Sequence, residues 1–397
     1  MKSITLLGST GSIGTSTLDV VRAKPDLFHI FALAAGSNTD TLALQILEFR
    51  PRIAILETED ARVRLIRNLE DSPMPRSDWP QIEIGSSARV QAATATETDF
   101  VLSAIVGVAG LEATYQAARV GKSIGLANKE TMVASGDLVM AAARDSGAEV
   151  IPVDSEHNGA HQCFRCGTRQ EVTRLILTAS GGPFRNTPAR ELAAVTPEQA
   201  LRHPTWKMGP RITIDSATMM NKGLEVIEAC RLFDLAPGEV DVVVHPQSSV
   251  HAMVEFDDGS VMAQLSTTDM RMPIQYALTW PDRLSAAVPR MDWTAARTLE
   301  FFPPEPDKFP LLGLAYQALR AGGTAACTLN AADEIAVEAF LQGAISFPGI
   351  AELVEETLTR VAVRTPGSVD EILAVDSESR AAARKILSER SRTVSAS

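Results

Sequence analysis

Two carboxylates leave the end of a short apolar segment near the middle of this chain. Glu149-Val-Ile-Pro-Val153 reads as a strand, and Asp154-Ser-Glu156-His-Asn158 follows it. In an extended chain residues i and i+2 point the same way, so Asp154 and Glu156 are expected to share a face. Two such groups repel unless something positive lies between them. Their oxygens suit a hard divalent cation, Mg²⁺ or Mn²⁺, better than zinc. A solvated turn that caps the next helix explains the same residues, and for this motif alone it is the better reading.

Further along, Ser216-Ala-Thr-Met-Met-Asn221-Lys222-Gly223-Leu-Glu225 opens a predicted helix. Asn221 and Glu225 are i and i+4, and Lys222 and Glu225 are i and i+3, so the three can face one site. Lys222 suits a phosphate and Glu225 offers a third oxygen ligand; an ordinary surface Lys–Glu pair is the alternative. Gly223 inside that helix costs about 1 kcal/mol against alanine, which suggests a close approach there. Ser180-Gly-Gly-Pro-Phe184 ends a strand at Arg174–Thr178 and forms either a phosphate nest or a plain glycine turn. A helix beginning at Thr196-Pro-Glu-Gln stops by His203-Pro204. The stretch Thr205-Trp206-Lys-Met-Gly209-Pro210 then places an aromatic between chain breakers, as a core anchor or as the tip of a water-excluding lid. His245 and His251, near strand ends, receive no catalytic role on spacing.

The first third reads as nucleotide-binding, with an ordinary tight βα connection as the alternative for its glycine turn. Ser3–Leu7 is a strand, Gly8-Ser-Thr-Gly11-Ser-Ile-Gly14 a turn, and Leu18, Val20 and Val21 lie on the helix that follows. Strand, glycine turn and helix start together cradle a pyrophosphate, although the spacing is GxxGxxG rather than GxGxxG. Apolar strands at 29–35, 52–56, 81–84, 100–106, 123–127 and 149–153 alternate with helical stretches, the pattern of a doubly wound parallel sheet. The second strand ends in Ala-Ala-Gly36-Ser37-Asn38, with neither the carboxylate that favours NAD nor a base for a 2′-phosphate; the lack of a carboxylate tilts towards NADP. Asn128-Lys129-Glu130 sits where such a sheet binds ligands, or simply starts a helix.

Later segments complete the frame. Arg211–Asp215, Val240–His245, Val250–Phe256 and Ser260–Leu265 read as strands, with Asp257-Asp-Gly259 as a hairpin turn. Met270–Trp280 reads as a helix. Pro303-Pro-Glu-Pro306 breaks the chain, and periodic helices at 310–321, 328–342, 348–362 and 369–389 make a small bundle. Asn330-Ala-Ala-Asp333-Glu334 reads as a solvated helix start rather than a second acidic site, and 393–397 as disordered. The expected architecture is α/β: a doubly wound domain over 1–150, a central α+β domain over 151–285 with a mobile loop at 203–210, a linker over 286–308, and a helical domain over 309–397.

The 397 residues exceed one ordinary core, and the composition, 45% hydrophobic and 22% charged, is that of a globular protein. A net charge of −12 without a basic stretch argues against nucleic acid as a partner. Four cysteines are too few for a disulfide scaffold, and Cys163-Phe-Arg-Cys166 has no second pair at zinc-ribbon spacing. No apolar run reaches the ~18 residues of a membrane span, and the N-terminus lacks a leader pattern, so a soluble cytoplasmic protein is expected.

Together these blocks resemble one family, 1-deoxy-D-xylulose 5-phosphate reductoisomerase. The resemblance is carried by Gly8–Gly14, Ala127-Asn-Lys-Glu130, Pro152-Val-Asp-Ser-Glu-His-Asn158, Ser180–Phe184, Asp215–Glu225 and His245-Pro-Gln-Ser248, in that order over nearly the whole chain. It implies NADPH- and metal-dependent rearrangement and reduction of a phosphorylated ketose to 2-C-methyl-D-erythritol 4-phosphate, in non-mevalonate isoprenoid synthesis, by a homodimer. It further implies Asp154, Glu156 and Glu225 as ligands of Mg²⁺ or Mn²⁺ and, with Lys129, as catalytic residues. Lys129, Ser155, Glu156, Ser180, His203, Trp206, Ser216, Asn221, Lys222 and Glu225 would meet the substrate. Thr10, Gly11, Ser12, Ile13, Gly36, Ser37, Asn38, Asn128, Glu130 and Gly209 would line the cofactor. Two departures stand out: many members carry lysine where this chain has Ser37, and the segment from His161 to Arg174 is shorter than in some. The rival readings are a plain NAD(P)-dependent dehydrogenase, which needs no metal, and a catalytically silent nucleotide-binding scaffold, which oxidises no NADPH.

Overall fold

A computed structural model describes residues 1–206, 208–286 and 288–396, with side chains as far as Arg390. The chain begins with β1 (Lys2–Leu7), α1 (Ser12–Ala23), β2 (Phe28–Ala34), α2 (Thr39–Phe49), β3 (Ile53–Leu56), α3 (Glu59–Glu70) and β4 (Gln81–Ile84). It continues through α4 (Gly85–Thr94), β5 (Phe100–Ser103), α5 (Leu111–Arg119), β6 (Ser123–Leu126), α6 (Lys129–Ser146) and β7 (Val150–Pro152). The seven strands pair in parallel in the order β4-β3-β2-β1-β5-β6-β7. Helices cover such a sheet, so its strands are apolar on both faces: Ile4, Leu6, Leu33, Ile55, Phe100 and Leu102 are fully buried. The strand order reverses between β1 and β5, which opens a ligand crevice at the carboxyl ends of these strands.

The remainder comprises α7 (Ser155–Cys163), β8 (Val172–Ala179), α8 (Pro197–Ala200), α9 (Pro210–Ala217), α10 (Met220–Phe233), β9 (Val240–Val244), β10 (Val250–Phe256) and β11 (Val261–Leu265). It ends with α11 (Arg271–Thr279), α12 (Pro310–Ala321), α13 (Ala325–Leu341), α14 (Phe347–Arg360) and α15 (Val369–Ala396). A mixed sheet runs β11-β10-β8-β9, with β9 parallel to β8 and β10 antiparallel to both its neighbours. The expected linker adds one antiparallel rung, Phe302 against Val244. Two compact units divide the chain. Met1–Thr131, Asp137–Asn158 and Asp269–Arg290 form the first; Met132–Gly136, Gly159–Thr268 and the residues from Met291 form the second. The first core is built on Leu6, Leu33 and Leu102, the second on Leu177, Leu224, Leu329 and Leu353.

Several expectations need correction. Arg211–Asp215 is not a strand but lies in α9. Gly209, extended, caps that helix, Pro210 occupies its first turn, and Thr213 Oγ1 bonds back to the Gly209 carbonyl at 2.8 Å. The Ile-Thr-Ile alternation mimics a strand, but burial of Ile214 and Ala217 in the second core decides for helix. Asp154 and Glu156 do not share a strand face: Asp154 precedes α7 and accepts the Glu156 N–H at 3.3 Å, and Glu156 lies in the first helical turn. The helix predicted at 270–280 forms, as α11, but it packs on α1 in the first unit rather than in the central domain. Asn330 and Asp333 lie inside α13 and are fully buried, not solvated at a helix start. The backbone of 393–396 continues α15, where disorder is expected from sequence; Ser397 lies outside the described residues. Among the described residues, no helix is long and apolar enough to cross a membrane.

Candidate active site

At the carboxyl end of β1 the Gly8 and Ser9 N–H groups both bond the Ala34 carbonyl, at 2.9 and 2.8 Å, tying the glycine turn to the end of β2. Gly8 has φ +92°, and a Cβ there would lie 2.4 Å from the Ala104 carbonyl oxygen. A Cβ at Gly14 would lie 2.3 Å from the Gly8 oxygen and 2.4 Å from the Ser9 oxygen. Both glycines are therefore required by close backbone approach, which answers the unusual spacing. Gly11 caps α1, so the Ser12 and Ile13 N–H groups begin the helix without intrahelical acceptors, an anion-binding arrangement with Thr10 beside it. Gly36, Ser37 and Asn38 lie exposed after β2, with Asn38 capping α2 through Thr41 N at 3.2 Å.

Asn128 caps α6 by accepting the Thr131 N–H at 2.7 Å and donates to the Gly107 carbonyl at 2.8 Å. Glu130 Oε1 accepts the Gly107 N–H at 3.1 Å. These two predicted cofactor residues thus brace the loop after β5. Between them Lys129, almost fully buried, places Nζ 2.8 Å from Asp154 Oδ2. His157 Nδ1 lies 3.6 Å from Asp154 Oδ1. Burial pushes the Asp154 carboxyl up, but the Lys129 ammonium and the hydrogen-bonded His157 together outweigh it and hold it well below the usual 3.8. Ser155 Oγ donates to Glu156 Oε2 at 2.5 Å. Asn158 ties its side chain to the Pro152 carbonyl at 2.8 Å and to Pro273 at 3.3 Å, fixing the turn from β7 into α7.

In the second unit, Gly181 (φ +81°) and Gly182 (φ +63°) turn the chain after β8. Ser180 Oγ accepts the Gly182 N–H at 3.2 Å and lies 3.0 Å from His203 Nε2. The same Nε2 lies 3.1 Å from Ser216 Oγ on α9. His203 Nδ1 accepts the N–H groups of Thr205 (3.2 Å) and Trp206 (2.9 Å), so its proton sits on Nε2 and faces the two serine hydroxyls. Burial lowers the His203 pKa from 6.5, which keeps the ring neutral. Trp206 is half-buried and Gly209 exposed, while Lys207, within the expected mobile loop, lies outside the described residues. Met219, buried at φ +64°, makes the sharp turn from α9 into α10. On α10 Asn221 Nδ2 and Lys222 Nζ both donate to the Glu225 carboxylate. Lys222 and Glu225 are buried, so the surface-pair alternative falls. Gly223 admits α12: a Cβ there would lie 2.6 Å from that of Ala315.

Within the first unit the structure thus brings Lys129 of α6 to Asp154, on the turn that also carries Ser155 and Glu156. Within the second it clusters Ser180 with His203 and Ser216, and Asn221 and Lys222 with Glu225. The sequence reading quoted His157 but gave it no role, and it missed Arg231. That side chain reaches from α10 to the Met132 and Val133 carbonyls beside Ser135, where α6 leaves helical geometry (φ −145°). Nothing in the spacing of Arg231 signals this, because the carbonyls are freed only by the kink. His245 is structural: Nε2 accepts the Ser249 and Val250 N–H groups and Nδ1 donates to Glu300. A groove of about 750 Å³ beside β9, α12 and the 301–304 segment contains none of the predicted site residues. Cys163 is buried and Cys166 exposed, and both are free thiols.

A protein of Solibacter usitatus called 1-deoxy-D-xylulose 5-phosphate reductoisomerase is 63% identical over 386 residues, 97% of each chain. The chain belongs to the 1-deoxy-D-xylulose 5-phosphate reductoisomerase family. Family models agree in three pieces: 1-deoxy-D-xylulose 5-phosphate reductoisomerase over residues 4–136, its C-terminal domain over 150–233, and the DXP reductoisomerase C-terminal domain over 265–382. The Zymomonas mobilis enzyme, solved in complex with NADPH, is 42% identical, with a TM-score of 0.90 over 97% of this chain and 99% of that one. A DOX-P reductoisomerase solved with NADPH, fosmidomycin and magnesium is 39% identical, with a TM-score of 0.91 over 98% of both. The expected family and three-part α/β fold therefore hold.

Proposed function

We infer that the chain converts 1-deoxy-D-xylulose 5-phosphate to 2-C-methyl-D-erythritol 4-phosphate, using NADPH and a divalent cation. The observation that carries this reading is the buried Lys129–Asp154 pair at the carboxyl end of a doubly wound sheet that also presents a phosphate-binding turn. The relatives solved with NADPH and with magnesium support both cofactors.

The donor chemistry fits a hard cation. Asp154 stays ionised despite burial, Glu156 lies two residues on in the first turn of α7, and Glu225 is a buried carboxylate on α10. All offer oxygen only. We assign these three as its ligands; when bound, the cation would polarise the ketone and stabilise negative charge during rearrangement. Lys129, released from Asp154, would donate a charged hydrogen bond to a substrate oxygen. Ser155 and Glu156 would orient the same end of the molecule. Ser180, His203, Ser216, Asn221 and Lys222 would hold the phosphate end, and binding energy gathered there orients the reacting carbons. His203 Nε2–H supplies a donor without adding charge. Trp206, whose N–H is tied to His203, would cover the site and exclude water. The Ser12 and Ile13 N–H groups, with Thr10 and Gly11, would meet the cofactor pyrophosphate. Gly36, Ser37 and Asn38 would meet its adenosine side, and Asn128, Glu130 and Gly209 its remaining contacts. Residues 1–150 would bind the cofactor, 151–285 carry out the chemistry, 286–308 link, and 309–397 buttress the whole in a cytoplasmic homodimer.

The test is NADPH absorbance on adding 1-deoxy-D-xylulose 5-phosphate, with Mg²⁺ or Mn²⁺ and then with chelator. Metal-dependent loss is expected. No loss in folded protein that binds NADPH would overturn the assignment in favour of the dehydrogenase or scaffold readings.

A further inference from the structure

Beneath the glycine turn, one polar side chain sits among apolar ones. The inner face of α2 gives Leu42, Ala43 and Ile46 to the first core, and Gln45 lies beside them, 6% exposed. Its Nε2 donates to the Ser9 carbonyl at 2.9 Å, and Ser9 is itself fully buried. A carbonyl oxygen only accepts, so the amide faces it through its NH₂ end. The other end gains nothing: among the described residues, Gln45 Oε1 has no hydrogen-bond partner. A buried acceptor without a donor opposes folding, so the packing of α2 alone favours an apolar residue here. The core does not explain the amide; the peptide that it holds does.

That peptide lies at the centre of the turn. On one side the Gly8 and Ser9 N–H groups are tied to Ala34, and on the other the Gly11 N–H bonds the Gly8 carbonyl at 3.2 Å. The Ser9 oxygen points inward, under the start of α1, where a Cβ on Gly14 would lie 2.4 Å from it. The Ser9–Thr10 bond is trans, and a trans peptide is planar with its C=O and N–H on opposite sides. Holding the Ser9 oxygen against Gln45 therefore turns the Thr10 N–H the other way. Among the described residues, this N–H meets no acceptor. It joins the Ser12 and Ile13 N–H groups, which begin α1 without intrahelical acceptors.

We propose that Gln45 sets the affinity of this turn for the cofactor pyrophosphate, by locking the Ser9–Thr10 peptide with its N–H towards the anion and its oxygen away from it. The inference rests on the cofactor role proposed for the turn. Gln45 is a positioning residue, acting through Ser9 alone. Without its donor, the Ser9 oxygen stays buried and loses its partner. It regains one by rotating towards the crevice, where water donates. The same rotation withdraws the Thr10 N–H and presents the negative end of a carbonyl dipole to the phosphates. Loss of one hydrogen bond to a charged group weakens binding by about tenfold to a hundredfold.

The experiment compares the wild-type full-length protein with Gln45→Leu. The dissociation constant for NADPH is read from its fluorescence, without substrate. That for adenosine 2′-monophosphate, which lacks the pyrophosphate, is read by calorimetry. Expected for the variant is an NADPH constant raised at least about tenfold, with the adenosine 2′-monophosphate constant and kcat at saturating NADPH within about twofold of wild type. A merely structural role lowers the active fraction, and so kcat, without separating the two ligands. An unchanged NADPH constant would overturn the proposal, as would equal losses for both ligands. Where leucine prevents folding, Gln45→Met, unbranched and flexible, takes its place. A second measurement needs no variant: exchange of the Thr10 amide hydrogen in the wild type, followed by NMR, should slow at least about tenfold on adding NADPH. Protection of Ser12 and Ile13 without Thr10 would refute a role for the Ser9–Thr10 peptide. A wild type that binds no NADPH would overturn the cofactor role of the turn and this inference with it, a result seen before any substitution is made. Absence of turnover with NADPH bound would refute the proposed reaction and leave the two dissociation constants decisive for Gln45.

Discussion

Replacing Gly14 by alanine sets helix propensity against the tertiary structure, and the two predict opposite signs. Gly14 lies in the first turn of α1, where propensity alone makes Gly→Ala favourable by up to about 1 kcal/mol. In the fold the new Cβ would lie 2.3 Å from the Gly8 oxygen and 2.4 Å from the Ser9 oxygen. Both obstacles are backbone, and both belong to a turn pinned to β2 through Ala34. A carbon–oxygen contact needs roughly 1 Å more, so the turn must open or α1 must retreat. Overpacking of this kind costs about 1–3 kcal/mol, and rigid backbone on both sides puts Gly14→Ala at the upper end. Subtracting the propensity gain leaves about 2 kcal/mol of destabilisation. For a unit of this size that is a Tm loss of about 4–8 °C. The Ser12 and Ile13 N–H groups move with the helix start, and loss of ~1.4 kcal/mol of cofactor binding raises the KM for NADPH about tenfold. Differential scanning calorimetry and NADPH kinetics check both. A Tm equal to or above wild type, with an unchanged KM, would refute the steric argument and show that the turn yields freely.

Three further outcomes are expected. Glu225→Gln removes a charged ligand while keeping its shape, so turnover should fall by at least about 100-fold at limiting Mg²⁺ with little change in Tm; near-normal rates would remove Glu225 from the metal set. Ser37→Lys should lower the KM for NADPH severalfold by adding a cation beside the exposed end of β2, and an unchanged value would place the 2′-phosphate elsewhere. His203 has a pKa below its ordinary 6.5 because burial opposes its charge, so its contribution is present above that value and lost as pH falls through the folded pKa. Protonation there would strip Nδ1 of the Thr205 and Trp206 hydrogen bonds, so the substrate KM should rise on the acid side below about pH 6.5, and His203→Gln should flatten that limb.

Much of this molecule follows from local pattern. Continuous apolar runs locate the strands of the first sheet, and period-3.6 spacing the four C-terminal helices, to within a few residues, because burial of both strand faces or of one helical stripe dominates their stability. The Gly8–Gly14 turn, Lys129, Asp154, Glu156 and Lys222 are likewise visible in sequence, since phosphate and cation chemistry permits few residue types. Tertiary structure decided the rest. Arg211–Asp215 has the alternation of a strand but is helical, because Pro210 and a buried Ile214 outweigh β-propensity. Asp154 and Glu156 do lie together, but through a helix cap rather than strand alternation. Asp333 reads as a solvated helix residue until the fold buries it beside Arg211 of α9. The sequence by itself therefore determined which chemistry is on hand and which stripes must be buried. Only the folded chain decided which charges lose their water and which glycines meet backbone, because both depend on segments distant in sequence arriving at one place.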